Sequence, residues 1–375
     1  MHESIVVFSH LRWDFVYQRP QHLLARMAKC RPIIFIEEPI HRETSHAEFE
    51  LSRPEPGVLV CKPVTPSSQA GFHDDQIPWI AQLLQELLAN EGISRYLAWF
   101  YTPMALPLLR HLKPQLVVYD CMDELSGFLK APRQITQREA ALLKTAHLVF
   151  TGGRSLYEAK KGLHPAVHCF PSSVDAAHFA RALDPSLDHP LQRPLPRPRL
   201  GFYGVLDERL DLALVHALAT THPAWQIVLV GPVVKIAPET LPKAPNIHYY
   251  GKKEYAELPA FLSGWDVCIL PFALNEATRF ISPTKTLEYM AAEKPVVSTP
   301  IADVVRPYSD VVFIGRTIAE FIKECEQALR QDDEQKRRMV AGMRRILAST
   351  SWDSTVEAMN TLIREALDKK TTRQR

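Results

Sequence analysis

Glycine is scarce in this 375-residue chain: 14 glycines stand against 30 prolines, whereas globular proteins on average carry more glycine than proline. The shortage goes with the absence of the loops that commonly cradle nucleotides. No G-x-G-x-x-G follows a candidate strand, and G-x-x-x-x-G-K-[ST], H-E-x-x-H and Asp-x-Asp do not occur. Charge of one sign is also lacking. With 44 Lys and Arg against 42 Asp and Glu, the net charge of +2 offers no electrostatic footprint for nucleic acid. No apolar run approaches the ~18 residues of a membrane span, and Met1-His2-Glu3 does not open a signal peptide, so the expected location is the cytoplasm. The six cysteines (30, 61, 121, 169, 268 and 325) include no C-x-x-C pair. They read as buried free thiols in a reducing compartment, which removes zinc ribbons and fingers. No metal site is expected, and the fifteen histidines form no ligand constellation.

Short β-rich runs alternate with helical stretches, the pattern of a parallel α/β sheet. In the first half the strands are expected at 5–8, 33–36, 58–60, 97–101, 116–119, 148–150 and 167–170, with helices over 21–27, 77–90, 103–112 and 137–145. Residues 184–198 hold five prolines and little periodicity, so they read as a stiff, extended linker. The alternation then restarts, with strands at 200–203, 227–230, 247–250, 267–270, 296–298 and 311–314. The expected organisation is two Rossmann-like domains: 1–183, a proline-rich linker 184–198, and 199–350. A C-terminal helix 351–367 returns to the first domain, and 368–375 forms a frayed basic tail.

The most informative stretch is Phe280-Ile281-Ser282-Pro283-Thr284-Lys285-Thr286-Leu287-Glu288-Tyr289-Met290-Ala291-Ala292, which runs into Lys294-Pro295-Val296-Val297-Ser298-Thr299. Ser282 suits an N-cap and Pro283 the first helical position. The free amides and positive end of the helix dipole then face outward, a natural seat for phosphate. Lys285 sits in the first turn, against the dipole, which makes sense if an anion is bound between them. Glu288, three residues on, shares that face and can accept hydrogen bonds from a ribose diol. The plain alternative is a Lys285–Glu288 surface pair, worth ~0.2–0.5 kcal/mol.

This segment resembles the donor-site signature of GT-B glycosyltransferases, particularly glycosyltransferase family four and its teichuronic-acid and xanthan-type branch. Three further pieces resemble that family: 246–271, ending Gly264-Trp265-Asp266-Val267-Cys268-Ile269-Leu270-Pro271; Pro171–Phe179; and Phe8–Leu24, with Trp13 and Gln18-Arg19-Pro20-Gln21-His22-Leu23. The resemblance implies two Rossmann-like domains facing across a cleft, the second binding a nucleotide-diphosphate sugar of the UDP or GDP type. It implies a metal-independent, retaining hexosyltransferase (EC 2.4) of cell-surface polysaccharide synthesis. No separate cofactor is implied; the donor is a substrate. The acceptor would be a glycan or lipid-linked glycan, with peripheral contact at the inner membrane face. Two positions depart from the family pattern: Phe280 stands where a glutamate is usual, and Glu293 where glycine ends the helix. A same-fold nucleotide-sugar epimerase and a non-catalytic nucleotide-sugar sensor are the rival readings.

Other candidates follow strands, where ligands of open α/β sheets bind. Gly204, after the first strand of the second half, lets a ligand approach the backbone, and Arg209 offers a planar fork to phosphate. The alternative is that Arg209 pairs with Asp207 or Asp211. Gly231 and Gly251 are expected at the base pocket. In the first half, Asp120 or Asp123 would be the general base of an inverting enzyme, and in a retaining one would only orient substrate. Asp120 could instead cap a helix or pair with a lysine. Arg12, Trp13, Asp14 and Arg19 are the acceptor-loop candidates. Glu37 and Glu38 also follow a strand, and spacing alone assigns them no role.

Overall fold

The computed structural model describes residues 3–373, so the first two residues and the last two of the expected basic tail lie outside the described residues. The chain divides into two compact units. One holds the residues up to Ser126, Lys130–Pro171 and those from Asp353 on; the other holds Gly127–Leu129 and Ser172–Trp352.

The first unit is built on a nine-stranded sheet: β1 (Ser4–Phe8), β2 (Ile33–Ile36), β3 (Ile40–His41), β4 (Glu48–Glu55), β5 (Val58–Thr65), β6 (Tyr96–Phe100), β7 (Leu116–Cys121), β8 (Leu148–Thr151) and β9 (Val167–Cys169). The order is β3-β5-β2-β1-β6-β7-β8-β9, with parallel neighbours, and β4 lies antiparallel on β5. β4 has no apolar run to announce it: none of its residues is fully buried, and the ladder to β5 holds it. Residues 103–112, expected as an α-helix, form a 3-10 run (Pro103–His111). Pro107, inside it, has no N–H to give and crowds the preceding turn. The terminal helix runs Trp352–Arg373, beyond the expected end at 367. Lys370 Nζ donates to the Gln115 carbonyl at 2.7 Å and Arg26 pairs with Asp353 at 3.2 Å, so the described part of the tail is helical and tethered to this unit.

The second unit carries β10 (Arg199–Tyr203), β11 (Gln226–Val230), β12 (Ile247–Tyr249), β13 (Val267–Leu270), β14 (Val296–Ser298) and β15 (Phe313–Ile314), all parallel, in the order β12-β11-β10-β13-β14-β15. The order reverses direction at β10, between β11 and β13, and such a switch point opens a crevice beyond the strand ends. The chain enters this unit at Ser172 rather than near 183, because Val174, Phe179 and Ala182 are buried in its core.

The proline-rich stretch is not an extended linker. Pro185–Leu187 forms a 3-10 turn capped by Asp184, and fully buried Gln192 ties the segment to the helix Leu258–Ser263 and the turn that follows it. Its amide nitrogen donates to Asp188 (2.8 Å) and to the Phe261 carbonyl (2.7 Å), and its oxygen accepts from the Trp265 indole at 2.9 Å. Arg199, 4 % exposed, pairs with Asp188 at 2.7 Å. Prolines fixed the backbone, but the buried polar groups decided where it went.

Gly201, in the middle of β10, lets the buried Trp265 indole lie on the sheet: a Cβ there would sit 1.9 Å from the ring. Gly201→Ala is therefore expected to destabilise the protein by about 2–3 kcal/mol through overpacking, measured as a shift in urea-induced unfolding; an unchanged midpoint would refute the packing.

Candidate functional site

The residues singled out in the second half meet where β10, β11 and β12 end. Gly204 (φ +141°) follows β10, Gly231 (φ +147°) follows β11 and Gly251 (φ +64°) follows β12. L side chains rarely adopt such angles, and the spacing leaves no room for one at the first two. A Cβ on Gly231 would lie 1.8 Å from the Gly204 carbonyl oxygen, and one on Gly204 would lie 2.3 Å from Lys285 Cε and 2.8 Å from its Nζ. Gly231 donates its N–H to the Gly251 carbonyl at 2.8 Å. The Lys285 side chain thus lies along the backbone of Gly204, with its ammonium 5.6 Å from the Phe202 ring centroid.

Lys285 stands in the first turn of the helix Thr284–Ala291. Ser282 does not cap it: Pro283 is the N-cap, its φ of −67° and ψ of 113° leave it outside the helix, and no side chain caps the turn. Ser282 instead offers its carbonyl to the Ser172 hydroxyl at 2.7 Å. Thr286 Oγ1, fully buried in the same turn, has no hydrogen-bond partner. Glu288 lies one turn on. It accepts from the Tyr203 hydroxyl at 2.6 Å, while the Tyr203 N–H donates to the Tyr289 hydroxyl. Burial pushes the Glu288 carboxyl above its ordinary pKa, opposed by the Tyr203 hydrogen bond and the charge of Lys285. Glu288 is therefore a buried acceptor held by a strand-end tyrosine, not half of a solvated surface pair.

The helix ends in a left-handed residue, as the family resemblance implied, although that residue is Glu293 (φ +53°), which pairs with Arg344 at 2.6 Å. Arg209 lies on the loop after β10 and is drawn onto Asp207: Nε and Nη2 reach the carboxylate at 3.0 and 2.8 Å, and Asp207 is 3 % exposed. Asp211 caps the helix Leu212–Thr221 instead. Glu276, the nearest carboxylate to Phe280 in sequence, is exposed and pairs with Arg279 at 3.5 Å.

In the first unit, two of the candidates meet in one buried ion pair. Asp120 is completely buried, and Arg19, itself 4 % exposed, occupies both its oxygens at 2.9–3.2 Å while donating to the Phe170 carbonyl. Burial lowers the pKa of the Arg19 guanidinium, but the charge and hydrogen bonds of Asp120, with smaller contributions from Tyr101 and Cys169, together raise it above its ordinary value. The pair ties the helix Arg19–Met27 to the end of β7, so the Asp120 carboxylate and the Arg19 guanidinium are each engaged by the other. Trp13 is also buried, edge-on to Phe35 at 5.1 Å. Its N–H donates to Glu37 and its carbonyl accepts from Gln21, both at 2.8 Å. Arg12 binds the Glu37 carboxylate at 3.0 Å and the Glu38 carbonyl. Asp14 is exposed, and Asp123 is half-buried. Glu37 and Gln21 thus hold the loop after β1, a role only a long-range contact reveals. Glu38, half-buried after β2, has its carboxyl pushed up to about 7 by burial, against the opposing charge of Arg12.

Residues 197–331 match the family described as glycosyl transferases group 1. The chain is 26% identical over 291 residues to TuaH of Bacillus subtilis (strain 168), a glycosyltransferase whose name places it in teichuronic acid biosynthesis, covering 72% of each. Among solved structures it is similar to a sucrose-phosphate synthase of Thermosynechococcus elongatus, with a TM-score of 0.74 at 14% identity, covering 98% of this chain and 100% of that one. A trehalose-6-phosphate structure from E. coli bound with UDP-2-fluoro glucose gives a TM-score of 0.68 at 11% identity, with 97% and 99% covered. Among the described residues, no helix is long and apolar enough to cross a membrane.

Two predictions separate structure from chemistry. Asp120→Asn leaves Arg19 buried and uncompensated, and is expected to cost about 3–5 kcal/mol of stability; Arg19→Met with Asp120→Leu should recover most of it. Urea titration of the wild type and the two variants tests this, and a fully stable Asp120→Asn protein would contradict it. For Glu38, the folded pKa lies above the ordinary 4.5. Its contribution to stability is therefore greatest below pH 4.5 and is lost as pH rises to about 7. Glu38→Gln should remove about 1–3 kcal/mol of pH dependence across that window, read from unfolding curves at pH 4.5 and 8.

Proposed function

We propose, for a chain that belongs to the group 1 glycosyltransferases of the GT-B fold, that it transfers a sugar from a UDP- or GDP-type donor to a glycan or lipid-linked acceptor, without a metal and with retention. The observation that carries this reading is the Lys285 ammonium laid against Gly204 at the head of the helix Thr284–Ala291. Cleavage of the bond between the anomeric carbon and the phosphate oxygen sends its electron pair to the diphosphate. Lys285, Arg209 and the first amides of the helix would meet that charge, the last through the dipole and the unshared N–H groups. Glu288 would accept from the ribose hydroxyls. Gly231 and Gly251 would admit the base beside their backbones, and Ser282, Pro283 and Thr284 would border the phosphates.

The acceptor oxygen forms the new bond to the anomeric carbon, and its proton passes to the departing diphosphate. The engagement of Asp120 by Arg19 supports retention, since this carboxylate is not available to deprotonate an acceptor. Arg12 and Asp14 remain the acceptor-loop candidates, and Asp123 a group that orients substrate. The setting we propose is cell-surface polysaccharide synthesis in the cytoplasm, with peripheral contact at the inner membrane face; the name of TuaH supports it. Phe280, in place of the family's glutamate, favours a second reading, a nucleotide-sugar sensor without turnover.

Lys285→Ala is expected to lower transfer by ~10²–10³ with the fold intact, as circular dichroism and donor consumption would report. Normal turnover in that variant would overturn the assignment. Incubating the wild type with a donor and a panel of glycan acceptors separates the rivals: transfer supports the reading, acceptor-free isomerisation indicates an epimerase, and binding without turnover a sensor.

A further inference from the structure

The segment Gly127–Leu129 belongs to the second unit, although the residues on either side belong to the first. It is pressed close: a Cβ on Gly127 would lie 2.8 Å from the Glu276 carbonyl oxygen. The Leu129 N–H donates to Glu208 Oε1 at 3.3 Å. Between these contacts the Phe128 ring carries two cations, Lys235 Nζ at 4.4 Å and the Arg209 guanidinium at 5.5 Å from its centroid. Each cation has its own carboxylate from one dipeptide: Asp207 takes Arg209, and Glu208 lies 3.7 Å from Lys235.

Several features of this cluster have no structural purpose by themselves. Lys235 holds φ at +66°, a left-handed conformation that is strained for a non-glycine residue. Such strain gathers at functional sites. Glu208, whose side chain is 8 % exposed, buries Oε2 without a hydrogen-bond partner. Two like charges at one ring repel each other, and the electron-rich face of the ring offsets part of that repulsion. The four charges sum to zero, so an arriving diphosphate meets two positioned cations and no net negative field.

We infer that Phe128 is a positioning residue for the donor, its ring holding Arg209, from the loop after β10, and Lys235, from the loop after β11, together as a paired cationic seat for a nucleoside diphosphate. The inference rests on the donor-site reading above and extends it to two residues, Phe128 and Lys235, that no sequence motif marks. Phe128 itself touches no phosphate; it acts through the two side chains it carries.

A double-mutant cycle with the full chain tests it. UDP, GDP and ADP are titrated calorimetrically into the wild type and into Phe128→Leu, Phe128→Tyr, an Arg209→Ala, Lys235→Ala double variant, and that double variant with Phe128→Leu added. Phe128→Leu keeps the apolar volume and removes the ring. It is expected to weaken the bound nucleotide about two- to fivefold, the size of an ordinary cation–π contact, while Phe128→Tyr restores affinity. Once both cations are gone, Phe128→Leu should have no further effect. An unchanged affinity in Phe128→Leu, or an equal loss with and without the two cations, would overturn the inference while leaving the donor site standing. Failure of the wild type to bind any of the three nucleotides would instead remove the donor-site reading, and this inference with it.

Discussion

The space that a side chain on Gly204 would fill is occupied by the Lys285 chain, and the geometry of the second unit's binding edge follows from that exclusion. With no Cβ at Gly204 or Gly231, the ends of β10 and β11 approach until carbonyl and glycine nearly touch, and Gly231 passes its hydrogen bond on to Gly251. The ammonium is thereby kept at the head of its helix, where a cation is ordinarily disfavoured. Glu288, one turn further, is kept by the hydroxyl of the residue before Gly204. One strand end therefore positions both a cation and an acceptor without a glycine-rich loop.

The first unit solves a different problem. Its loop after β1 carries no regular structure, yet Glu37 and Gln21 hold its backbone, and a buried Arg19–Asp120 pair fixes the helix that follows. Such a pair is costly to bury and costlier to break, so its role is to specify one arrangement of loop and helix. Residues that looked reactive from their position after strands are here spent on holding the chain still.

Much of this was legible in the residues. The alternation of apolar runs and helical stretches yields both sheets, because parallel strands are buried on both faces and read as continuous apolar runs. The Lys285–Glu288 helix was legible because spacing on a helix is a local property. β4 escaped because it is held by the ladder to β5 rather than by burial. The linker was misread because composition reports stiffness, while Gln192 and Arg199 act through partners 69 and 11 residues away. The partner of Asp120 escaped for the same reason: it lies 101 residues upstream. Phe128 shows no periodicity or motif at all, and only the fold brings it to Arg209 and Lys235.

The division of the chain has a consequence for how the protein comes into being. The first unit includes residues from Asp353 on, and the second borrows Gly127–Leu129, so neither can be excised as one continuous piece. During synthesis, the nine-stranded sheet leaves the ribosome long before its last helix exists. The first unit must then wait for the stretch from Asp353 on to gain the Lys370–Gln115 and Arg26–Asp353 contacts, whereas the second has all its chain in hand by Trp352. The half made first is the half completed last.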